Sequence, residues 1–253
     1  EKNLTAEITS SLDISGDIII PRSINNNSQE YLITSIQKNA LNNCHTLRSI
    51  SFPENSAVNT ISYGAFYLSS ITYLHIPASV EELEEGWCMD TGNLIHISIS
   101  PNNRRYRIYN NKFIIGKSTQ SIDEYDVLIF ACRDVKQAII PSTINHISSF
   151  SFSKCLRLTK VIFSERKNHL SIGSFAFTST NIKDIHFPKE INKIERDAFM
   201  FCHNLRYVDF DKNSELEIFE NDLFSDSSIE KISIPSNMRT IEEYAFYRCF
   251  NLK

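Results

Sequence analysis

The sequence predicts a solenoid of short parallel β-strands and helical turns, wound in repeats that alternate between 22 and 25 residues, with a β-hairpin insertion in the middle. Three observations lead there. A pattern of apolar residues recurs at fixed phase along most of the 253 residues. Six of the seven prolines follow an apolar residue: Ile20-Pro21, Phe52-Pro53, Ile76-Pro77, Ile140-Pro141, Phe187-Pro188 and Ile234-Pro235. Four cysteines, Cys44, Cys155, Cys202 and Cys249, fall at one phase of the pattern, as "AFMFCHNL" (198–205) and "AFYRCFNL" (245–252) show.

The repeat is anchored on a large side chain at Leu41, Phe66, Cys88, Phe152, Phe177, Phe199, Phe224 and Phe246, with steps of 25, 22, 64, 25, 22, 25 and 22 residues. Five residues before each anchor stands another apolar residue, from Ile36 and Ile61 through Leu83, Ile147, Ile172 and Ile194 to Phe219 and Ile241. After the anchor comes a stretch such as Leu47/Ile50/Phe52, Ile71/Leu74/Ile76 or Leu205/Val208/Phe210. Its last two apolar members alternate with polar ones, the period of a half-buried strand. Proline then ends the ladder, having no N–H to donate.

The segment from the −5 residue to the cysteine, such as "IERDAFMFC", is too short for a free helix and is expected as a helical turn held by packing. A second apolar contact, Val58 or Ile191, completes the unit. No single unit can bury its own apolar face, whereas stacked units share one interior.

Segments such as "IEEYAFYRCFNL", "IGSFAFTSTNIKDIHFP" and "INKIERDAFMFCHNLRYVDF" resemble the BspA-like leucine-rich repeats of surface proteins from mucosal bacteria and parasitic protozoa. The resemblance covers nearly the whole chain. Trp87-Cys88 replaces Ala-Phe, Leu223 replaces Ala, and residues 100–140 interrupt the rhythm. It implies a leucine-rich-repeat solenoid that binds rather than catalyses, outside the cell or at its surface.

On this reading the chain is one solenoid domain, 1–253. Residues 35–99 and 141–253 are regular repeats, 100–140 a β-rich insertion, and 1–34 an N-terminal strand ("SGDIIIP") followed by an Asn-rich loop (24–30). Within the insertion Asn110-Asn111 signals a hairpin, because Asn tolerates positive φ. The last unit stops at "CFNLK", where a strand should begin, so the chain is expected to be a segment of a longer protein.

Bulk properties exclude several function classes. A net charge of −4 offers no general pull toward nucleic acid or anionic membrane. The longest apolar run, "VLIFAC" (127–132), is far too short to span a bilayer. "GKST" (116–119) lacks the upstream glycine of a phosphate loop, since position 111 is Asn. "RRYR" (104–107) reads as a solvated strand face more readily than as a phosphate or sulfated-glycan grip.

The four phased cysteines are expected two coils apart, roughly 9–10 Å at sheet spacing. That is beyond disulfide reach, so they should be free thiols filling core space; Cys88 and Cys132 stay open. No Cys-x-x-Cys supports a metal site, and no cofactor is expected. A hydrolase would need a nucleophile–base pair; Asp123, Glu124 and Asp126 make only a charged loop. Two glycosylation sequons begin at Asn3 and Asn26.

The outward strand positions form parallel stripes. Tyr73, His75, His96, Lys160, Asp184, His186, Tyr207 and Asp209 are the candidate binding residues, the tyrosines serving as rigid anchors. The expected role is adhesion to, or recognition of, a host or matrix protein or glycan. The alternative is a passive spacer within a longer surface protein.

Overall fold

The structure, a computed structural model, describes residues 4–10 and 14–253. The sequon at Asn3 and the residues 11–13 lie outside the described residues. The chain divides into two compact units, 1–114 and 115–253. Each is a parallel β-solenoid: every coil contributes a front strand to one sheet and a side strand to another.

In the first unit the front sheet is Gly16–Ile19, Leu47–Ser51, Tyr73–Ile76 and His96–Ile99, in chain order. The side sheet is Leu4–Ile8, Gln29–Ile36, Thr60–Ile61 and Glu82–Leu83. Ser23–Asn26 joins it antiparallel to Gln29–Ile36, with Asn26 opposite Gln29. Residues 24–30, read from sequence as a loop, are therefore a hairpin. Asn27 and Ser28 both take positive φ (51° and 63°), the primed turn that matches strand twist. Asn26, the sequon residue, is exposed beside that turn.

In the second unit the front sheet is Gln137–Ile140, Lys160–Phe163, Asp184–Phe187, Tyr207–Phe210 and Lys231–Ile232. Its side sheet runs Val127–Ala131, His146–Ile147, Leu170–Ile172 and Ile191–Ile194, followed by the pair Ile218–Phe219 and Thr240–Ile241. The expected hairpin is Tyr106–Tyr109 and Phe113–Gly116, at the division of the chain, with Asn110 and Asn111 at φ 50° and 54°. Beyond it the insertion continues the winding. Val127 and Leu128 pair with His146 and Ile147, and Gln137–Ile140 pairs residue for residue with Lys160–Phe163. The sequence hid this coil because Arg133, and no apolar residue, stands five residues after Leu128, the register partner of Ile147.

Among the described residues there is no helix. The segments expected as helical turns are stacked β-turns instead. In each of eight coils the residues two before and two after the anchor take positive φ: Asn39/Asn43, Gly64/Leu68, Gly86/Asp90, Phe150/Lys154, Phe175/Ser179, Asp197/Phe201, Asp222/Asp226 and Tyr244/Arg248. A right-handed helix needs negative φ throughout, so this alternation forbids one. It also turns alternate N–H groups toward the neighbouring coil. Phe152, Phe177, Phe199 and Phe224 donate their N–H to the carbonyls of Ala176, Ala198, Leu223 and Ala245, at 2.8 to 3.0 Å. The turns thus form a hydrogen-bonded ladder of their own, which satisfies backbone that a one-turn helix would leave open.

The anchors make the core. Phe152, Phe177, Phe199 and Phe224 are fully buried. Their rings stack in file, with centroids 4.7, 5.1 and 5.7 Å apart. Five of the strand-ending prolines, Pro53, Pro77, Pro141, Pro188 and Pro235, close a turn through their carbonyls, as in Val80 N–H to Pro77 (3.3 Å) and Ile144 N–H to Pro141 (3.1 Å).

None of the six cysteines forms a disulfide; Cys44, Cys155 and Cys202 are buried and Cys249 is half-buried. The thiol of Cys202 donates to the Phe177 carbonyl at 3.2 Å and meets the Thr180 hydroxyl at 3.4 Å. Cys249 repeats this with Phe224 (3.1 Å) and Ser227 (3.3 Å). In these coils a longer Cys unit alternates with a shorter Ser/Thr unit, each sulfur resting on the preceding hydroxyl. Burial pushes the Cys202 thiol up to about 11, which keeps it protonated and inert.

Candidate binding interface

The eight residues singled out in the sequence all lie on front strands, three in the first unit and five in the second. Strand alternation puts them outward while Leu74, Ile185 and Val208 between them are buried.

In the first unit Tyr73 stands in register with Ser49 and His96, and His75 with Ser98. Tyr73 and His75 are half-buried and converge on one side chain: the Tyr73 hydroxyl and His75 Nδ1 each lie 2.8 Å from Ser98 Oγ. Burial holds the His75 imidazole below its ordinary value, so it is neutral at physiological pH. His96 is exposed. Ser98, whose hydroxyl fixes both rings, was not singled out in the sequence, where a strand serine carries no signal of its own.

In the second unit Lys160, Asp184, Tyr207 and Lys231 form one row across four strands. Lys160 and Asp184 face each other in register. Tyr207, 48% exposed, donates its hydroxyl proton to Glu230 at 3.3 Å, and Glu230 also lies 3.7 Å from Arg206. In the next outward row His186 Nδ1 meets Asp209 Oδ2 at 2.8 Å, and the Ser233 hydroxyl donates to Asp209 Oδ1 at 2.9 Å. Asp209 is central, so the serine gives its proton to a carboxylate rather than to a histidine base. That is not the order of an activated nucleophile.

Beside His186 lies a shallow cleft of about 530 Å³, edged by Phe163, Arg166, Lys189, Glu190 and Asp211. Arg166 is buried and donates to the carbonyls of Ile144 (2.8 Å) and Pro141 (3.3 Å). In the first unit Asn103 does the same for Pro77 and Val80, at 2.9 Å each. Both side chains lock the proline turn of the preceding coil. Burial lowers the Arg166 pKa while Glu190 opposes the shift. Among the described residues no group of three or more His, Cys, Asp or Glu is placed to hold a metal ion. No helix among the described residues is long and apolar enough to cross a membrane.

Comparison with known families fixes the assignment. Residues 21–125 and 120–253 match the BspA type leucine rich repeat region, in six copies. The chain belongs to the BspA-type leucine-rich repeat family. No curated protein matches it in sequence. Among solved structures, a leucine-rich repeat protein from Eubacterium ventriosum superposes with a TM-score of 0.69 at 19% identity, over 93% of this chain and 71% of that one. A leucine rich cell surface protein from Faecalibacterium prausnitzii gives 0.54 at 16% identity, over 98% and 83%. The pneumococcal vaccine antigen PcpA gives 0.57 at 15% identity, over 92% and 77%. At these identities the likeness concerns the fold. The BspA-type repeats account for the phased anchors and for the coil hidden at 127–140.

Proposed function

We propose that this chain is a non-enzymatic recognition module at the cell surface, binding a partner protein through its front strands. The observation that carries the reading is the rigid register of outward-facing aromatic and ionisable side chains on those strands. Tyr73 and His96 are paired across coils in one unit, and Lys160, Asp184 and Tyr207 in the other. A side chain held by a ladder loses little further freedom on binding, so contact area converts to affinity efficiently. The surface location rests on the family and on the F. prausnitzii neighbour described as a cell surface protein.

The test is binding of the fluorescently labelled chain to cells and to immobilised matrix proteins. Replacing Tyr73, His96 and Tyr207 together by Ala should weaken binding at least about tenfold, as loss of aromatic anchors does. Unchanged binding by the folded triple variant would favour a spacer role.

A further inference from the structure

We infer that the first three front strands of the second unit form a docking patch for an acidic protein segment that also carries apolar side chains. This rests on the protein-binding reading above and names the chemistry of the partner. At the centre, Ile139 and Ile162 stand in register on neighbouring strands and face outward, Ile139 at 48% exposure. Around them Lys136, Arg157, Lys160 and Lys183 are exposed. The backbone aligns them: Thr159 N–H donates to the Lys136 carbonyl (3.0 Å) and Lys183 N–H to the Thr159 carbonyl (3.4 Å), so Lys136 and Lys183 share one ladder two coils apart. Lys160 lies in the adjacent position, opposite Gln137 and Asp184.

None of these four cations has an ion-pair partner among the described residues. One coil further on, Arg206 reaches Glu230, and further still Arg239 reaches Glu217. Asp184 is the one carboxylate on these three strands, and Asp134 lies in the turn before Lys136. Like charges held on neighbouring strands repel one another, and here they gather on a chain whose net charge is −4. Such a local positive field selects an anionic partner and speeds its encounter.

The isoleucines decide which anion. A sulfated glycan or a nucleic-acid backbone would satisfy the cations but leave two apolar side chains against water. A polypeptide bearing Asp or Glu next to Leu or Val satisfies both. An apolar centre with a charged rim is also the anatomy of protein interfaces.

The experiment is fluorescence anisotropy on the full chain, using a labelled synthetic peptide in which Leu alternates with Asp and Glu. Heparin and poly-glutamate serve as competitors. The patch predicts saturable binding that weakens with salt. Lys160→Glu combined with Lys183→Glu should weaken it at least about tenfold and Ile139→Ser about fivefold. Lys212→Glu, exposed in the turn after Tyr207–Phe210 and outside the patch, should leave it within about twofold. Circular dichroism should confirm each variant folded.

No binding of the peptide, or binding indifferent to Lys160→Glu with Lys183→Glu, overturns the inference. So does heparin displacing the peptide completely while Ile139→Ser changes nothing, which would mark a polyanion site alone. If the Tyr73/His96/Tyr207 triple variant loses cell or matrix binding while the peptide result is negative, the inference falls and the proposed function stands.

Discussion

Asp197 shows how one residue reports the cost of the stacked turns. It sits at a positive-φ position (59°), and its neighbour in the same column is Asp222. Partial burial, and then the Asp222 charge, raise its carboxyl from 3.8 to about 6 despite Arg196. The folded state therefore binds the proton more tightly than the unfolded chain. Stability contributed by the protonated carboxyl is present below the unfolded value and is lost as pH rises through about 6. Asp197→Asn removes the charge and keeps a residue that tolerates positive φ. It should stabilise the protein by about 0.5–1 kcal/mol near pH 7.5, a figure discounted for the solvent that reaches the group, and by nothing near pH 3.5. Urea unfolding of both proteins at the two pH values checks this. A gain independent of pH would mean that Asp222 repulsion and burial are not the cause.

At the scale of the element, the turns make a sharper statement than the strands. Ser179 has φ 56° and is half-buried, whereas its neighbour Thr178 is buried, has no positive φ, and donates its hydroxyl to the Met200 carbonyl at 2.9 Å. Ser179→Gly should therefore stabilise by about 0.5–1 kcal/mol, through relief of a left-handed residue. Thr178→Gly should destabilise by at least about 1 kcal/mol. Chemical denaturation of the pair separates stacked turns from a helical segment, in which both glycines would be harmful.

The sequence showed where these turns begin and end, because the anchors, the −5 residues and the cysteines are apolar and periodic. It did not show that they are turns. A nine-residue stretch containing Ala and Phe has the same apolar pattern in a single helical turn, and positive φ at Phe150, Phe175 or Tyr244 leaves no mark on residue type. Where residue type does carry that mark, as at Asn110-Asn111, the hairpin was legible. At Asn27-Ser28 the same turn was read as a loop, since the residues next to it, Asn25, Asn26, Gln29 and Glu30, are all polar.

At the scale of the molecule, period and phase were enough for the coil architecture. They also placed all eight candidate residues on front strands, because outward positions follow from the two-residue period of a strand. What those residues touch was not legible. Tyr73 and His75 meeting on Ser98, or His186 and Ser233 sharing Asp209, depends on which rotamers reach across coils more than 20 residues apart in sequence. The patch at Ile139 and Ile162 was missed for a related reason. Its first strand belongs to the coil that has Arg133 in place of an apolar anchor, so Ile139 had no column to join.

The central claim is that, within each unit, residues of the same phase lie directly above one another. Paired cysteines test it most directly. Asp184 and Tyr207 are register partners on neighbouring strands, and so are Ser49 and Tyr73. Lys160 and Tyr207 are two strands apart in the same row. Neighbouring strands lie about 4.8 Å apart, within disulfide reach, and strands two apart lie beyond it. Mild oxidation should cross-link Asp184→Cys with Tyr207→Cys, and Ser49→Cys with Tyr73→Cys, while Lys160→Cys with Tyr207→Cys stays reduced. Cross-linking of the last pair, or of neither neighbouring pair, would contradict the stacked coils.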